Sequence, residues 1–135
     1  MFIVKPIADR ALQKQICDSL SAAYRPDTLA YFAANLAEDK ETVTDLIGVC
    51  QFTVGDVGKI VTLVSAPAAA EDEAMIVLCR AVMAFMHRAG IRTAQLLPDA
   101  GPEALLTKMG FPKKDGIYTI DLEAFYKAPC KYTPE

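Results

Sequence analysis

Side chains that commonly carry out covalent or acid–base chemistry are sparse in this 135-residue chain. The single imidazole, His87, has no serine or cysteine spaced beside it, which favours a surface position over a catalytic one. The cysteines form no C-x-x-C pair and have one histidine as a partner, so they predict buried, inert thiols rather than a zinc site. They are Cys17, Cys50, Cys79 and Cys130. The sequence thus predicts neither a metal centre nor a nucleophile–base pair.

The longest apolar helix is predicted to run from about Asp72 to Ala89, and a run of acids lies at its start. The start of a helix offers unpaired backbone N–H groups and positive dipole potential, which suit an anionic ligand. Glu71, Asp72 and Glu73 can satisfy those donors with their own side chains. The segment therefore suits the start of a buried helix, and its three carboxylates oppose an anion.

Apolar spacing predicts two helices after a first strand at Phe2–Lys5. The first helix runs from about Arg10 to Ala23, and Asp9 is expected to cap its N-terminus. Asp27 is expected to cap the second helix. The apolar face of this second helix would consist of Leu29, Phe32, Ala33 and Leu36.

β-branched and aromatic residues predict an antiparallel hairpin with strands at Leu46–Val54 and Lys59–Ser65. Gly48, inside the first of these strands, indicates a bulge or a close backbone approach. The long helix leads to a strand at Thr93–Leu97, and this strand–helix–strand run has the length of a parallel, right-handed crossover. The last predicted elements are a short helix at Glu103–Met109 and a strand at Ile117–Leu122.

This order of elements resembles the fold of the GNAT acetyltransferases. Ser65-Ala66-Pro67 ends a strand where the family has a V-x-P-like segment, and Gly90-Ile91 closes the long helix at the family's spacing. The segment Leu106-Thr107-Lys108-Met109-Gly110-Phe111 is similar to the family's Y-x-K-x-G-F. It agrees with that motif at the lysine, the glycine and the phenylalanine.

The resemblance implies an α/β (α+β) fold with a mixed, mostly antiparallel central sheet, a central parallel βαβ step and helices on both faces. We expect residues 1–127 to form one such domain and residues 128–135 to form a C-terminal tail.

The resemblance also implies acetyl-CoA or another acyl-CoA as co-substrate. The family holds the pyrophosphate with a Q/R-x-x-G-x-G/A loop, and the matching segment here contains no glycine in any register. The cofactor-binding positions that follow from the resemblance are Glu71, Asp72, Glu73, Ala74 and Met75. On the preceding strand, backbone N–H groups between Leu63 and Ser65 would polarise the thioester carbonyl.

Other family positions are changed as well. The tyrosine that often acts as an acid on the short helix is replaced by Leu106, and the asparagine near the end of the preceding strand is replaced by Asp99. The hairpin strands carry no carboxylate that could act as a general base, so the catalytic residues stay unknown. Tyr24 and Tyr31 would border the acceptor groove and are the predicted substrate-binding residues.

Two functions stay open at this point. One is an N-acyltransferase in which a substrate amine attacks an acyl-CoA thioester; the other is a catalytically degenerate GNAT-fold module that no longer binds acetyl-CoA and takes a small molecule or a protein. A net charge of −3 without clustered Lys and Arg predicts no nucleic-acid partner. The longest apolar run is interrupted by Arg80 and is too short to span a bilayer, so we expect a cytoplasmic protein without a membrane partner. A homodimer is a further expectation.

Overall fold

The computed structural model describes residues 1–67 and 72–127. The strands are β1 (Phe2–Pro6), β2 (Leu29–Leu36), β3 (Val43–Thr53), β4 (Gly58–Ser65), β5 (Thr93–Leu96), β6 (Lys113–Lys114) and β7 (Ile117–Asp121). The helices are α1 (Arg10–Ser19), α2 (Asp72–Arg88), α3 (Glu103–Leu106) and α4 (Leu122–Lys127), with a 3₁₀ turn at Thr107–Met109. All the described strands belong to one sheet with the order β1-β2-β3-β4-β5-β7-β6.

The sheet is antiparallel at every pairing except one. Only β4 and β5 run parallel, and α2 is the crossover between them. The side chains of α1 pack on one face of β2 and β3, and those of α2 pack on the other face. The predicted fold class, a mostly antiparallel sheet with one parallel step and helices on both faces, is confirmed. No helix among the described residues is long and apolar enough to cross a membrane.

The prediction of a second helix near Leu29–Leu36 is wrong, because this segment is the strand β2. Its backbone pairs with β1 on one side and β3 on the other. Phe32 packs toward α1, whereas Ala33 packs toward α2, so both faces of the strand are covered. A strand with two buried faces lacks the polar–apolar alternation that would have revealed it, and its alanines and leucines fit helical spacing by chance.

Two short elements, β6 and α4, are absent from the sequence prediction. The strand that was predicted to end at Leu122 ends at Asp121, and α4 begins at Leu122. Helix α4 packs on α2: the Arg80 guanidinium lies 5.2 Å from the centre of the Phe125 ring, and His87 stacks on Tyr126 with ring centres 4.3 Å apart. His87 is exposed, as predicted. The predicted tail at residues 128–135 lies outside the described residues.

The predicted close approach at Gly48 is confirmed. The β2–β3 register shifts between Ala33 and Ala34, which places a bulge beside this glycine. A Cβ at Gly48 would lie 2.3 Å from the Met75 sulfur and 2.8 Å from the Val64 carbonyl oxygen. Helix α2 therefore rests directly on the backbone of β3, and its first turn is fixed close to the end of β4.

Candidate functional site

The edge of β4 that faces β5 is the place where the sequence predicts contact with a thioester. The two strands pair only from Gly58 with Ala94 to Ile60 with Leu96, after which the Leu97 N–H donates to the Ile60 carbonyl at 3.1 Å. Both strands diverge past this point. Leu63 and Ser65 lie on the stretch of β4 beyond the divergence.

A turn of the chain closes this gap at Leu63. Residues 97–100 form the turn, in which the Ala100 N–H donates to the Leu97 carbonyl at 3.0 Å. The Leu63 N–H donates to the Ala100 carbonyl at 2.8 Å. Gly101 follows, and a Cβ on it would lie 2.0 Å from the Leu63 carbonyl oxygen. The segment 97–101, here called the plug turn, thus covers both backbone polar groups of Leu63.

The start of α2 presents carboxylates to solvent. Asp72 and Glu73 are exposed, whereas the side chains of Ala74 and Met75 are buried in the core. Asp72 accepts a hydrogen bond from the Lys108 ammonium at 2.9 Å, and both side chains are about half exposed. Glu71 lies outside the described residues. Asp72 and Glu73 therefore lie in the first turn of α2, where the sequence has no glycine. The bond from Lys108 to Asp72 connects α2 with the 3₁₀ turn.

The positions that would supply acid–base chemistry do not do so. Leu106 is fully buried and has no ionisable group, and Asp99 is an exposed residue of the plug turn itself. The buried polar side chains of the hairpin strands are Gln51 and Thr62, and neither is ionisable. In the described parts of the short helix and the hairpin strands, these buried side chains pack in the core and form no acid–base pair.

Gln51 uses its whole amide to hold the loop between α1 and β2. Its carbonyl oxygen accepts from the Arg25 N–H at 2.9 Å, and its NH₂ group donates to the Ala23 carbonyl at 2.8 Å. The same NH₂ group donates to the Thr62 hydroxyl at 2.8 Å. Because the residues on both sides of Tyr24 are bonded to one buried amide, the backbone at this tyrosine is fixed against β3 and β4.

Gln13 extends this network into α1. Its side-chain NH₂ group donates to the Gln51 carbonyl oxygen at 2.9 Å and to the Thr28 hydroxyl at 3.0 Å. Every buried side-chain nitrogen and oxygen of the described residues has a hydrogen-bond partner. A network in which all members are satisfied adds rigidity, and none of its groups is left to bind a ligand.

The predicted substrate-binding residues do not meet. Tyr24 packs against the cluster under α1, on one face of the sheet. Tyr31 packs on the α2 face, where its ring centre lies 6.0 Å from that of Phe52 and 6.2 Å from that of Phe85. The sheet therefore separates the two tyrosines. Tyr31 belongs to an aromatic cluster of the core, and Tyr24 is the one held beside β4.

The three cysteine thiols in the described part of the chain are unsuited to nucleophilic chemistry. Burial raises the pKa of Cys79 to about 12 and raises that of Cys50 well above its usual range. Burial is also the main cause of a raised pKa at Cys17. All three therefore stay protonated at neutral pH. Within residues 1–67 and 72–127, no three His, Cys, Asp or Glu side chains are grouped in a way that could hold a metal ion.

Comparison with known proteins identifies the fold. The sequence matches no protein-family model and no curated protein. Among solved structures it is similar to a GNAT-family N-acetyltransferase of Escherichia coli in complex with CoA, at 12% identity and a TM-score of 0.62, covering 90% of this chain and 81% of that one. The ribosomal-protein alanine N-acetyltransferase of Escherichia coli has 14% identity and a TM-score of 0.59, with 90% and 94% coverage. The IAA acetyltransferase of Bacillus cereus has 17% identity and a TM-score of 0.59, with 85% and 79% coverage.

The chain thus has the GNAT acetyltransferase fold, whose members of known structure include one with bound CoA. Three of the positions that the sequence predicts for an acyl-CoA, Leu63, Asp72 and Glu73, have features that oppose such a ligand. The Leu63 N–H is already bonded to the Ala100 carbonyl, so it is not available to a thioester. The described start of α2 carries the carboxylates of Asp72 and Glu73, which repel a pyrophosphate.

Proposed function

We propose that this chain is a GNAT-fold binding domain that does not use acyl-CoA as a co-substrate. The observation that carries the proposal is the plug turn. The Leu63 N–H donates to the Ala100 carbonyl at 2.8 Å, and Gly101 covers the Leu63 carbonyl. A ligand that paired with β4 at Leu63 would have to displace this turn and replace its hydrogen bond.

Electrostatics support the same proposal. A pyrophosphate at the start of α2 would gain from the helix dipole but would face Asp72 and Glu73. The Lys108 ammonium offsets one of these charges, because it is bonded to Asp72. Two like charges 4 Å apart near a protein surface repel by about 4 kcal/mol at an effective dielectric constant of 20. Solvent screens this repulsion at exposed side chains, but it opposes the contribution of about 0.3–1 kcal/mol that the helix dipole makes near an exposed helix end.

The chemistry of the described residues supports binding rather than catalysis. Leu106 and the saturated Gln51 network provide no group that can move a proton during aminolysis of a thioester. A small molecule or a protein remains the ligand class of the proposed domain.

A second candidate is an acyl-CoA-dependent N-acyltransferase, and it rests on Ser65. The alternation of a strand directs its N–H to the same edge of β4 as the Leu63 N–H. If the plug turn moved away, these two donors would present an edge to which an extended, amide-bearing ligand could bind.

Calorimetric titration of the full chain with acetyl-CoA separates the two candidates. If the chain is a binding domain that does not use acyl-CoA, we expect no saturable heat and no thermal shift up to about 1 mM ligand. A ligand that did bind would add about 2.7 kcal/mol to the stability of the chain at 100 times its dissociation constant, which a thermal shift would detect. A double variant, Asp72→Asn with Glu73→Gln, removes the two described charges and leaves Leu63 covered, so it should also fail to bind.

Saturable binding by the unmodified chain, with transfer of the acetyl group to an amine, would contradict the proposed function and favour the second candidate. Binding that appears only in the double variant would show that the carboxylates, and not the plug turn, keep acyl-CoA out.

A further inference from the structure

Tyr118 contacts the residues on both sides of the plug turn. On β7 its backbone pairs with Leu96, which is the last residue of β5 and directly precedes the turn. Its hydroxyl donates a hydrogen bond at 2.5 Å to the carboxylate of Glu103, which begins α3 two residues after Gly101. One residue therefore joins the two ends of the excursion that the chain makes between β5 and α3.

The side chain of Tyr118 is itself held in place. It is 6% exposed and belongs to the core cluster under α2. Lys113 on β6 pairs with Tyr118 along the backbone, and its ammonium lies 4.9 Å from the centre of the tyrosine ring. The same ammonium lies 3.9 Å from the Glu103 carboxylate. The two-residue strand β6 thus places a cation against both partners of the bond.

The plug turn has little buried surface of its own. Of its five residues, only Ala100 is buried, at 3% exposed. Its hydrogen bond to the divergent part of β4 is the one from the Leu63 N–H to the Ala100 carbonyl. Segments with few buried contacts open locally at a lower free energy than the core around them. How often this turn opens therefore depends on what holds its ends.

The bond between Tyr118 and Glu103 is of the stronger kind, because a hydroxyl that donates to a carboxylate forms a charge-assisted hydrogen bond. This bond, followed by burial, raises the pKa of Tyr118 above its ordinary value. The raised pKa favours the protonated hydroxyl, which is the donor, so the bond is present at neutral pH and is lost as the pH rises through the pKa of Tyr118. The ion pair from Lys113 to Glu103 is half exposed and adds little.

We propose that Tyr118 and Glu103 form a clamp that holds the plug turn against β4 and thereby controls access to the edge of β4 at Leu63. Both are positioning residues, because they act through the turn. The proposal concerns the regulation of the candidate site and rests on the plug turn that carries the proposed function. Release of the clamp would uncover the N–H and the carbonyl of Leu63, which are the groups that an extended, amide-bearing ligand pairs with at a strand edge.

Hydrogen exchange of the full chain without ligand tests the clamp, because it reports the access of water to the Leu63 amide. Tyr118→Phe keeps the buried ring and removes the donor, whereas Glu103→Ala removes the acceptor at an exposed position. Each should accelerate exchange at Leu63 by about tenfold, the factor that corresponds to the loss of one charge-assisted hydrogen bond, and should change the amides of β2 and β3 less. The double variant should exchange no faster than either single variant, because both remove the same bond.

Glu103→Gln separates the charge of the acceptor from the bond itself. Glutamine keeps an oxygen acceptor, so exchange at Leu63 should accelerate less than in Glu103→Ala. Because the bond to the carboxylate raises the pKa of Tyr118, the phenolate should form at a lower pH in Glu103→Gln than in the unmodified chain. Ultraviolet absorbance measures this shift, with the Tyr118→Phe chain as the reference that lacks this phenol.

Glu123→Ala is the matched control, since Glu123 is also an acid in the first turn of a short helix but is bonded to Lys127. It should leave exchange at Leu63 unchanged. Unchanged exchange in both Tyr118→Phe and Glu103→Ala would overturn the proposal, and so would an acceleration shared equally by all amides of β3 and β4. Acetyl-CoA binding by the unmodified chain would contradict the proposed function and not the clamp, because exchange is measured without ligand.

Discussion

Replacing Gly101 with alanine is expected to lower the free energy of unfolding by about 2–4 kcal/mol, as overpacking against a fixed backbone does. The new methyl group would lie 2.0 Å from the Leu63 carbonyl oxygen, and a backbone atom cannot rotate away as a side chain can. Either β4 or the plug turn must shift, and the bond from Leu63 to Ala100 lengthens or breaks. Urea denaturation of both proteins measures the change.

Gly55→Ala is the matched control for this substitution. A methyl group at Gly55 meets its nearest atom at 3.9 Å, an ordinary contact, so we expect a change within about 1 kcal/mol. Equal stability of the Gly101 and Gly55 variants would contradict the close packing of the plug turn on β4. Hydrogen exchange at the Leu63 amide adds a local measurement, because exchange should accelerate in the Gly101 variant alone.

Gln51→Leu is expected to cost about 3–5 kcal/mol, the second large effect. Leucine fills a similar volume but leaves the Arg25 N–H, the Ala23 carbonyl and the Thr62 hydroxyl without their buried partner. Each unsatisfied buried group costs about 1–3 kcal/mol, and water entering the loop recovers part of this sum. Chemical denaturation gives the total, and hydrogen exchange of residues 22–28 reports the loosened loop.

Thr62→Val is the control for that variant, since it removes one hydroxyl and leaves the amide of Gln51 bonded to the loop. We expect it to cost about 1 kcal/mol and to leave exchange at residues 22–28 unchanged. If both variants lost the same stability, the loop would be held by packing of its side chains instead of by the Gln51 amide.

Local patterns in the sequence are sufficient for most of the architecture. The β3–β4 hairpin, the long α2 and the parallel step to β5 each follow from runs of residues whose period and length match one element. The strand β2 does not, because its two faces are both buried and its apolar residues also fit a helix. Its identity is decided by pairing with β1 and β3, which no local pattern contains.

The candidate site was accessible to sequence reasoning only in part. The acids at the start of α2 and the leucine at position 106 can be identified directly in the sequence, and both already weaken the case for an acyl-CoA enzyme. The plug turn cannot, because the bond from Leu63 to Ala100 joins residues far apart in the chain. The dipeptide Gly101-Pro102 indicates a tight turn, but it does not indicate that the turn packs against Leu63. Gln51, a polar residue inside an apolar strand, likewise signalled a buried network but not its partners.

The most direct test of the central claim is the backbone amide of Leu63 in an NMR titration of the full chain with acetyl-CoA. The plug turn predicts that this amide stays protected from exchange and keeps its chemical shift up to about 1 mM ligand. A saturable shift of the Leu63 amide, with loss of its protection, would contradict the claim and show that acyl-CoA displaces the turn from β4.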